Sequence, residues 1–277
     1  MELLEKIFNS SKEEIDFIIT SEIEKLNSVA TKINRLGFLD YGKSNYIFKG
    51  FIPFDTRIKY SAMNIEDYSM DTKDFFYEFA TFIKKYNITS KGQLIYFLET
   101  FINTYFGLKG SHNREEIFND LAWKSTTTDE EYFEALKNNK IGDLKGKNVA
   151  ECTERTALAN QILSLFGIES YYTMGCFSMK DKEEGHCFNI LRKKNGYAIV
   201  DYSVPVCIYD SNDKLKGFYP FVADLTTLEF EDFIRNQTIK SFDNYCFKVK
   251  DRVLDGESRK YVVGTYQIKK EEETLKK

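Results

Sequence analysis

The sequence predicts an α+β fold, in which a helical first half precedes a mainly antiparallel sheet with one helix packed against it. Three observations lead to this prediction. Apolar residues recur at helical spacing through the first half. The period changes after Gly167, where short apolar segments separated by polar turns begin. An Asn195-Gly196 pair, typical of a β-hairpin, separates two of these segments.

The helices of the first half are indicated by their starting residues and their periodicity. Ser11-Lys12-Glu13-Glu14 is a capping sequence, and apolar residues follow it at helical spacing as far as Ile33. Gly37 is the expected end of this helix. Amphipathic patterns predict four further helices, over residues 71–86, 90–106, 113–123 and 128–138.

The second half begins with a helix predicted over residues 153–166, which Gly167 ends. A late helix over residues 225–236 begins at Thr226-Thr227. Strands are predicted over residues 170–179, 187–192, 197–203, 206–209, 245–250 and 260–269. We divide the chain into a helical N-terminal region of residues 1–140, a candidate substrate-recognition or lid subdomain, and a core of residues 141–277.

The composition excludes several classes of partner. The net charge is −4 and the charges are interspersed, which argues against a nucleic-acid partner. There is neither a signal-peptide pattern nor an apolar run of the roughly 18 residues that a membrane span needs, so we expect a cytoplasmic protein without a membrane partner. The five cysteines show no CxxC spacing, and no calcium-loop pattern is present. We therefore expect no metal and no cofactor; the sequence leaves the oligomeric state open.

Cys152 is the candidate nucleophile. It follows a polar loop and stands where the predicted helix starts. Unpaired backbone N–H groups and the helix dipole favour negative charge there, so we expect a lowered thiol pKa and a reactive thiolate. The other cysteines lie in apolar strand segments and are interpreted as core residues: Cys176, Cys187, Cys207 and Cys246.

His186 and Asp201 are the candidate partners of this thiol. His186 opens an apolar strand after a charged turn, and Asp201 closes a short apolar run. A carboxylate beside a histidine can orient its imidazole and stabilise the imidazolium. The two side chains must therefore meet across the predicted hairpin.

The hairpin register decides whether they meet. A two-residue turn at Asn195-Gly196 would leave His186 about 13 Å from Asp201 along the strand. A four-residue loop that pairs Arg192 with Tyr197 instead makes the two side chains diagonal neighbours on one face. We predict the longer loop, or a bulge of equal effect.

Three segments resemble the transglutaminase-like superfamily of papain-like thiol enzymes. Ala150-Glu151-Cys152-Thr153-Glu154-Arg155-Thr156-Ala157-Leu158 resembles its nucleophile helix. Gly185-His186-Cys187-Phe188-Asn189 resembles its histidine strand, and Tyr197-Ala198-Ile199-Val200-Asp201 resembles its aspartate strand. The resemblance covers about residues 146–205 in the family's order. The chain differs where the family often has Gly at the position of Ala150, Trp at that of Phe188 and Pro at that of Tyr202.

The resemblance implies acyl transfer on a peptide or protein substrate. Cys152 attacks an amide carbonyl, His186 protonates the leaving amine, and Asp201 holds the imidazole. Water resolves the acyl-enzyme in a cysteine protease, amidase or deamidase, whereas an amine resolves it in a protein-glutamine transglutaminase. We favour hydrolysis because water needs no second binding site. The rivals are a non-catalytic transglutaminase-like binding protein and an arylamine acetyltransferase-like enzyme, whose nucleophile would stand nearer the N-terminus.

Four further residues receive weaker interpretations. An oxyanion needs donors, for which the Cys152 N–H is the first candidate and the Asn148 side chain the second. Trp123 is a candidate substrate-binding residue, although its helical spacing also suits core packing. Glu154 and Arg155 are interpreted as a solvated helix face in preference to a role in orienting the active-site loop.

Overall fold

The computed structural model describes residues 2–36, 47–49, 70–106, 145–146, 150, 152–179, 182–209, 215–242, 247–249, 252–254 and 258–264. Asn148, Trp123 and the helices predicted over 113–123 and 128–138 lie outside the described residues, as does the proposed boundary at residue 140. The described elements confirm a mixed fold of helices and an antiparallel sheet.

Four helices lie in the described part of the first half: α1 Glu2–Asn9, α2 Lys12–Leu36, α3 Met70–Lys85 and α4 Lys91–Tyr105. The capping sequence before α2 acts as predicted, since the Ser11 N–H donates to the Glu14 carboxylate at 2.6 Å and the Glu14 N–H donates to the Ser11 hydroxyl at 3.3 Å. Ser90 and Gln93 form the same reciprocal cap on α4.

The second half contains α5 Cys152–Leu165 and α6 Thr227–Arg235. The strands are β1 Ile47–Lys49, β2 Ser170–Met179, β3 Lys182–Lys193, β4 Gly196–Tyr209, β5 Leu215–Leu225, β6 Lys240–Phe242, β7 Phe247–Val249, β8 Arg252–Leu254 and β9 Arg259–Val263. All pairs in the seven-stranded sheet are antiparallel. Six of its strands follow the order β5-β4-β3-β2-β9-β6. Strand β1 shares an edge of β2 with β9, and β7 pairs with β8 separately.

Strand β5 is an element that the sequence did not predict. It contains Gly217 and Pro220, two residue types that are depleted in strands. The strand stands at the end of the sheet order and pairs only with β4 among the described strands. Proline is tolerated on such an edge because a second neighbouring strand, which would need its N–H as a hydrogen-bond donor, is absent there among the described strands.

The sheet separates two apolar layers. Alternate strand residues such as Tyr172, Leu191 and Val200 pack with the helices α1 to α5. Their neighbours on the opposite face, such as Phe221, pack with α6 and with Tyr261 of β9. Helices α4 and α5 share one core although they stand on opposite sides of residue 140. No helix within the described ranges is long and apolar enough to cross a membrane.

The β3–β4 hairpin has the register that brings the candidate residues together. Arg192 pairs with Tyr197, as predicted. The loop length is a correction, because Lys193 pairs with Gly196 and the turn contains only Lys194 and Asn195. Gly196 is therefore the first residue of β4, with φ at +118°, a conformation that side chains disfavour.

Candidate active site

Cys152 is the first residue of α5 and is partly buried. Its thiol lies within hydrogen-bonding reach of both the His186 imidazole and the Cys187 thiol. The first N–H groups of a helix have no acceptor within that helix, so they can serve an anion bound beside Cys152. The helix start thus presents a thiol and backbone donors at one place.

The first two turns of α5 are bonded to both β3 and β4. Within the described residues, the ladder between these strands ends at Asn189 and Val200, although both strands continue. Just beyond this point the Thr156 hydroxyl donates to the Cys187 carbonyl of β3 at 2.8 Å. On the other strand, the hydroxyl of Ser203 donates to the Cys152 carbonyl at 3.4 Å. These bonds hold the nucleophile where the two strands stop pairing.

His186 and Asp201 are in direct contact across the same part of the hairpin. The His186 Nε2 lies 2.8 Å from the Asp201 Oδ2, and both side chains are almost completely buried. With Nε2 directed at the carboxylate, Nδ1 is the ring nitrogen that remains for Cys152. The structure therefore brings the three predicted residues together in the order thiol, imidazole, carboxylate.

Asp201 accepts four hydrogen bonds. Its Oδ1 accepts from the backbone N–H groups of Ser203 at 2.8 Å and Val204 at 3.2 Å, and its Oδ2 accepts from Tyr261 Oη at 2.9 Å as well as from His186. Burial alone would raise the pKa of Asp201, but the charge and hydrogen bond of His186, together with other donors, lower it to about 2. The carboxylate is therefore ionised at neutral pH.

Aromatic rings enclose the His186 imidazole. The ring centroids of Phe177, Phe188 and Tyr261 lie 5.1, 6.3 and 6.5 Å from that of His186. Burial among these rings would lower the pKa of His186, but Asp201, assisted by Cys152, outweighs it and raises the pKa to about 10. The imidazole is therefore held as an imidazolium at neutral pH.

The expectation of a lowered thiol pKa at Cys152 is wrong. The hydrogen bond with the Cys187 thiol and the burial of the site raise the pKa of Cys152 well above its ordinary value. The His186 hydrogen bond and charge act in the opposite direction without overcoming them. The helix start also favours the thiolate. At neutral pH the site rests with a neutral thiol beside a charged imidazole.

The solvated-face interpretation of Glu154 and Arg155 is also wrong, because both residues are buried. The Arg155 Nε donates to the Ala150 carbonyl at 2.9 Å, so this side chain contacts the segment that leads into the nucleophile. Sequence periodicity could not reveal this burial, because the partner that covers Arg155 is supplied by α4.

Two further residues of the site were not singled out as functional from the sequence. Cys187, interpreted as core, is buried and accepts a hydrogen bond from Tyr172 Oη at 3.1 Å, but it also faces Cys152. Tyr261 reaches Asp201 because β9 pairs with β2, where Tyr261 is opposite Phe177. Cys187 could have been found from the sequence, because it directly follows His186. Tyr261 could not, because the pairing of distant strands brings it to the site.

Among the described residues, no group of three His, Cys, Asp or Glu side chains is placed to hold a metal ion. Comparisons with models of protein families, with curated proteins and with solved structures find no match to this chain. The function is therefore inferred from the geometry and chemistry of the site.

Proposed function

We propose that this chain is a thiol-dependent acyl-transfer enzyme with a transglutaminase-like core, which hydrolyses amide or peptide bonds through an acyl-enzyme on Cys152. The observation that carries the proposal is the contiguous set of three groups: a thiol at a helix start, an imidazole within its reach, and a buried carboxylate 2.8 Å from that imidazole. Nucleophile, base and orienting group in this order are the signature of covalent acyl transfer.

The first half-reaction consumes the imidazolium proton. The Cys152 thiol loses its proton to solvent, and the thiolate attacks the carbonyl carbon of the substrate amide. His186 then donates its Nδ1 proton to the leaving amine as the C–N bond breaks, which leaves a thioester on Cys152 and a neutral imidazole. Asp201 keeps Nε2 protonated throughout, so that Nδ1 is the nitrogen that exchanges the proton.

The second half-reaction restores the starting state. A water molecule attacks the thioester carbonyl and gives a proton to Nδ1 of His186. The carboxylic acid product leaves, His186 is again an imidazolium, and the Cys152 thiolate takes a proton from solvent to return to the neutral thiol. In both half-reactions the oxyanion needs hydrogen-bond donors, for which the Cys152 N–H at the start of α5 is the first candidate. A contribution from Asn148 stays a prediction.

One observation favours the non-catalytic alternative, a transglutaminase-like binding protein. The raised pKa of Cys152 leaves little thiolate at neutral pH, which slows any attack by this sulfur. Against this, a protein that only binds has no need to bury a charged imidazole against a carboxylate that accepts four hydrogen bonds, since such burial is costly.

A peptide-library experiment separates these functions. A proteome digest is incubated with the chain, with and without a primary amine, and mass spectrometry records cleavage, deamidation and amine incorporation. The matched variants are Cys152→Ser and Cys176→Ser, the second of which changes a partly buried thiol elsewhere in the sheet. We expect a hydrolytic product that Cys152→Ser abolishes and Cys176→Ser preserves. Amine incorporation in excess of hydrolysis would favour a transglutaminase, and the absence of any change that depends on Cys152 would refute the proposal.

A further inference from the structure

A buried polar network links α4 to the start of α5. Besides its bond to the Ala150 carbonyl, Arg155 donates through Nη1 to the Asn103 Oδ1 at 2.6 Å. Asn103 in turn donates through Nδ2 to the Glu99 backbone carbonyl at 3.0 Å and to the Glu99 carboxylate. Arg155 is 4% exposed, and Asn103 and Glu99 are completely buried. The guanidinium also lies over the ring of Phe106, 5.5 Å from its centroid.

This network is a costly way to stabilise a fold. Removing a guanidinium from water is costly, and a buried ion pair is often no better than an apolar group of the same size. Burial lowers the pKa of Arg155, and the opposing influences come from Glu99, Glu154 and Cys152. An arrangement that gives little net stability but fixes several donors and acceptors suits a role in positioning.

The atoms that the network fixes lie on both sides of the nucleophile. Ala150 precedes Cys152 by two residues and Arg155 follows it by three. The Nε bond to the Ala150 carbonyl therefore spans the turn in which the chain enters α5. Holding this carbonyl restrains the backbone two residues before the Cys152 N–H.

Helix α4 also holds the other side of the site. Tyr202, the residue after Asp201, donates its hydroxyl to the Ile95 backbone carbonyl of α4 at 3.0 Å. One helix of the N-terminal region is thus bonded to the segment beside the nucleophile, through Asn103, and to the residue beside the carboxylate. This places α4 as a support of the site, and the lid or recognition role of residues 1–140 stays a prediction.

We propose that Arg155 is a positioning residue that, anchored to α4 through Asn103, aims the Cys152 backbone N–H at the oxyanion of the acyl-transfer step. This inference rests on the proposed function. Misplacing one oxyanion donor costs about a hundredfold or more in rate in enzymes of this chemistry. Arg155 acts on the thiol through its charge and not through a hydrogen bond, so replacing Arg155 should change the thiolate reactions alike except where an oxyanion forms.

Two reactions at the same sulfur separate positioning from general damage. Acylation by p-nitrophenyl acetate passes through an oxyanion, whereas alkylation by iodoacetamide displaces iodide at a saturated carbon and forms none. Both rates are measured at Cys152 by peptide mapping in the wild type, in Arg155→Met and Arg155→Lys, and in Arg235→Met. Arg235 is exposed at the end of α6 and serves as the matched control.

We expect Arg155→Met to lower the acylation rate constant by about tenfold to a hundredfold more than the alkylation rate constant, because a change in the thiol pKa affects both reactions alike. Arg155→Lys, which keeps a donor but not the planar fork, should restore part of the rate. Should Arg155→Met fail to fold, Asn103→Ala tests the same link and should give a smaller loss, because the bond to Ala150 persists.

Each outcome has a distinct meaning. Equal losses in acylation and alkylation would show general damage and overturn the inference, and so would an acylation rate that stays at the wild-type value in Arg155→Met. Failure of the wild type to be acylated at Cys152 would instead refute the proposed function on which the inference rests.

Discussion

Replacing Asp201 by Asn removes the negative charge that holds His186 as an imidazolium. Asp201 Oδ1 accepts hydrogen bonds from the Ser203 and Val204 N–H groups, and the amide oxygen of the variant can accept the same bonds, so the turn can persist. Its amide nitrogen cannot accept from His186 Nε2. The imidazole then loses the partner that opposed its burial, and its pKa must fall.

The pKa shifts of His186 and Asp201 give two values for the energy of their interaction. The rise at His186 from 6.5 to about 10 corresponds to about 5 kcal/mol, and the fall at Asp201 from 3.8 to about 2 corresponds to about 2.5 kcal/mol. They differ because each group has other partners, with Cys152 acting on the imidazole and Arg259 on the carboxylate. We use the smaller value, which predicts that the midpoint of His186 falls by about two pH units or more.

Histidine resonances in NMR spectra provide the assay, because the chain has only two histidines. A His112→Gln variant assigns them. In the wild type we expect the His186 signal to remain that of an imidazolium through neutral pH and to titrate near 10. A wild-type midpoint near 6.5, or an Asp201→Asn midpoint that moves by less than about one pH unit, would refute the coupling.

The same pair makes stability depend on pH with a defined sign. The raised pKa of His186 contributes stability that is complete below about pH 6.5 and is lost as the pH rises through about 10. The lowered pKa of Asp201 contributes stability that is complete above about pH 4 and is lost as the pH falls through about 2. Urea unfolding should therefore show the largest loss in Asp201→Asn between about pH 4 and 6.5, and a loss that grows towards pH 10 would contradict the sign.

Three other variants test neighbouring contacts. Cys187→Ala removes the group that contributes most to the raised pKa of Cys152, so the pH profile of alkylation at that thiol should move to lower pH. A pH profile that stays in place or moves to higher pH would count against the contact. Tyr261→Phe removes a hydroxyl that donates to the site carboxylate at 2.9 Å and should lower the free energy of unfolding by about 1.5–3 kcal/mol, whereas unchanged urea denaturation would contradict it. Gly175→Ala places a Cβ 1.9 Å from a backbone carbonyl of β9 and should destabilise by about 1–3 kcal/mol in thermal unfolding. Gly185→Ala, with open space around it, is its control, and equal effects of the two would show that the close approach is not the cause.

Much of the fold could be predicted because its signals are local. The cap at Ser11 and the hairpin signal near Asn195 depend on a few adjacent residues. The requirement that His186 and Asp201 be in contact predicted the hairpin register that the structure has. The loop length was wrong because Gly196 starts β4 and is not part of the turn. Strand β5 was missed because its Gly and Pro are tolerated at an edge position that only the assembled sheet defines.

The surroundings of the site could not be predicted because they are assembled from distant segments. Arg155 is buried by Asn103, 52 residues earlier, and Asp201 is bonded by Tyr261, 60 residues later. The thiol pKa was predicted in the wrong direction for a related reason. The helix start, a local feature, favours the thiolate, but the contact with Cys187 depends on how α5 meets β3.

The central claim is that Cys152, activated by His186, carries the acyl group. The most direct measurement is the mapping of the acetyl adduct after a short exposure to p-nitrophenyl acetate above neutral pH, in the wild type, His186→Gln and Cys176→Ser. We predict a burst of p-nitrophenol with one acetyl group on Cys152, greatly slowed in His186→Gln and unchanged in Cys176→Ser. Acetyl groups spread over several cysteines, or acylation of Cys152 at the same rate without His186, would contradict the claim.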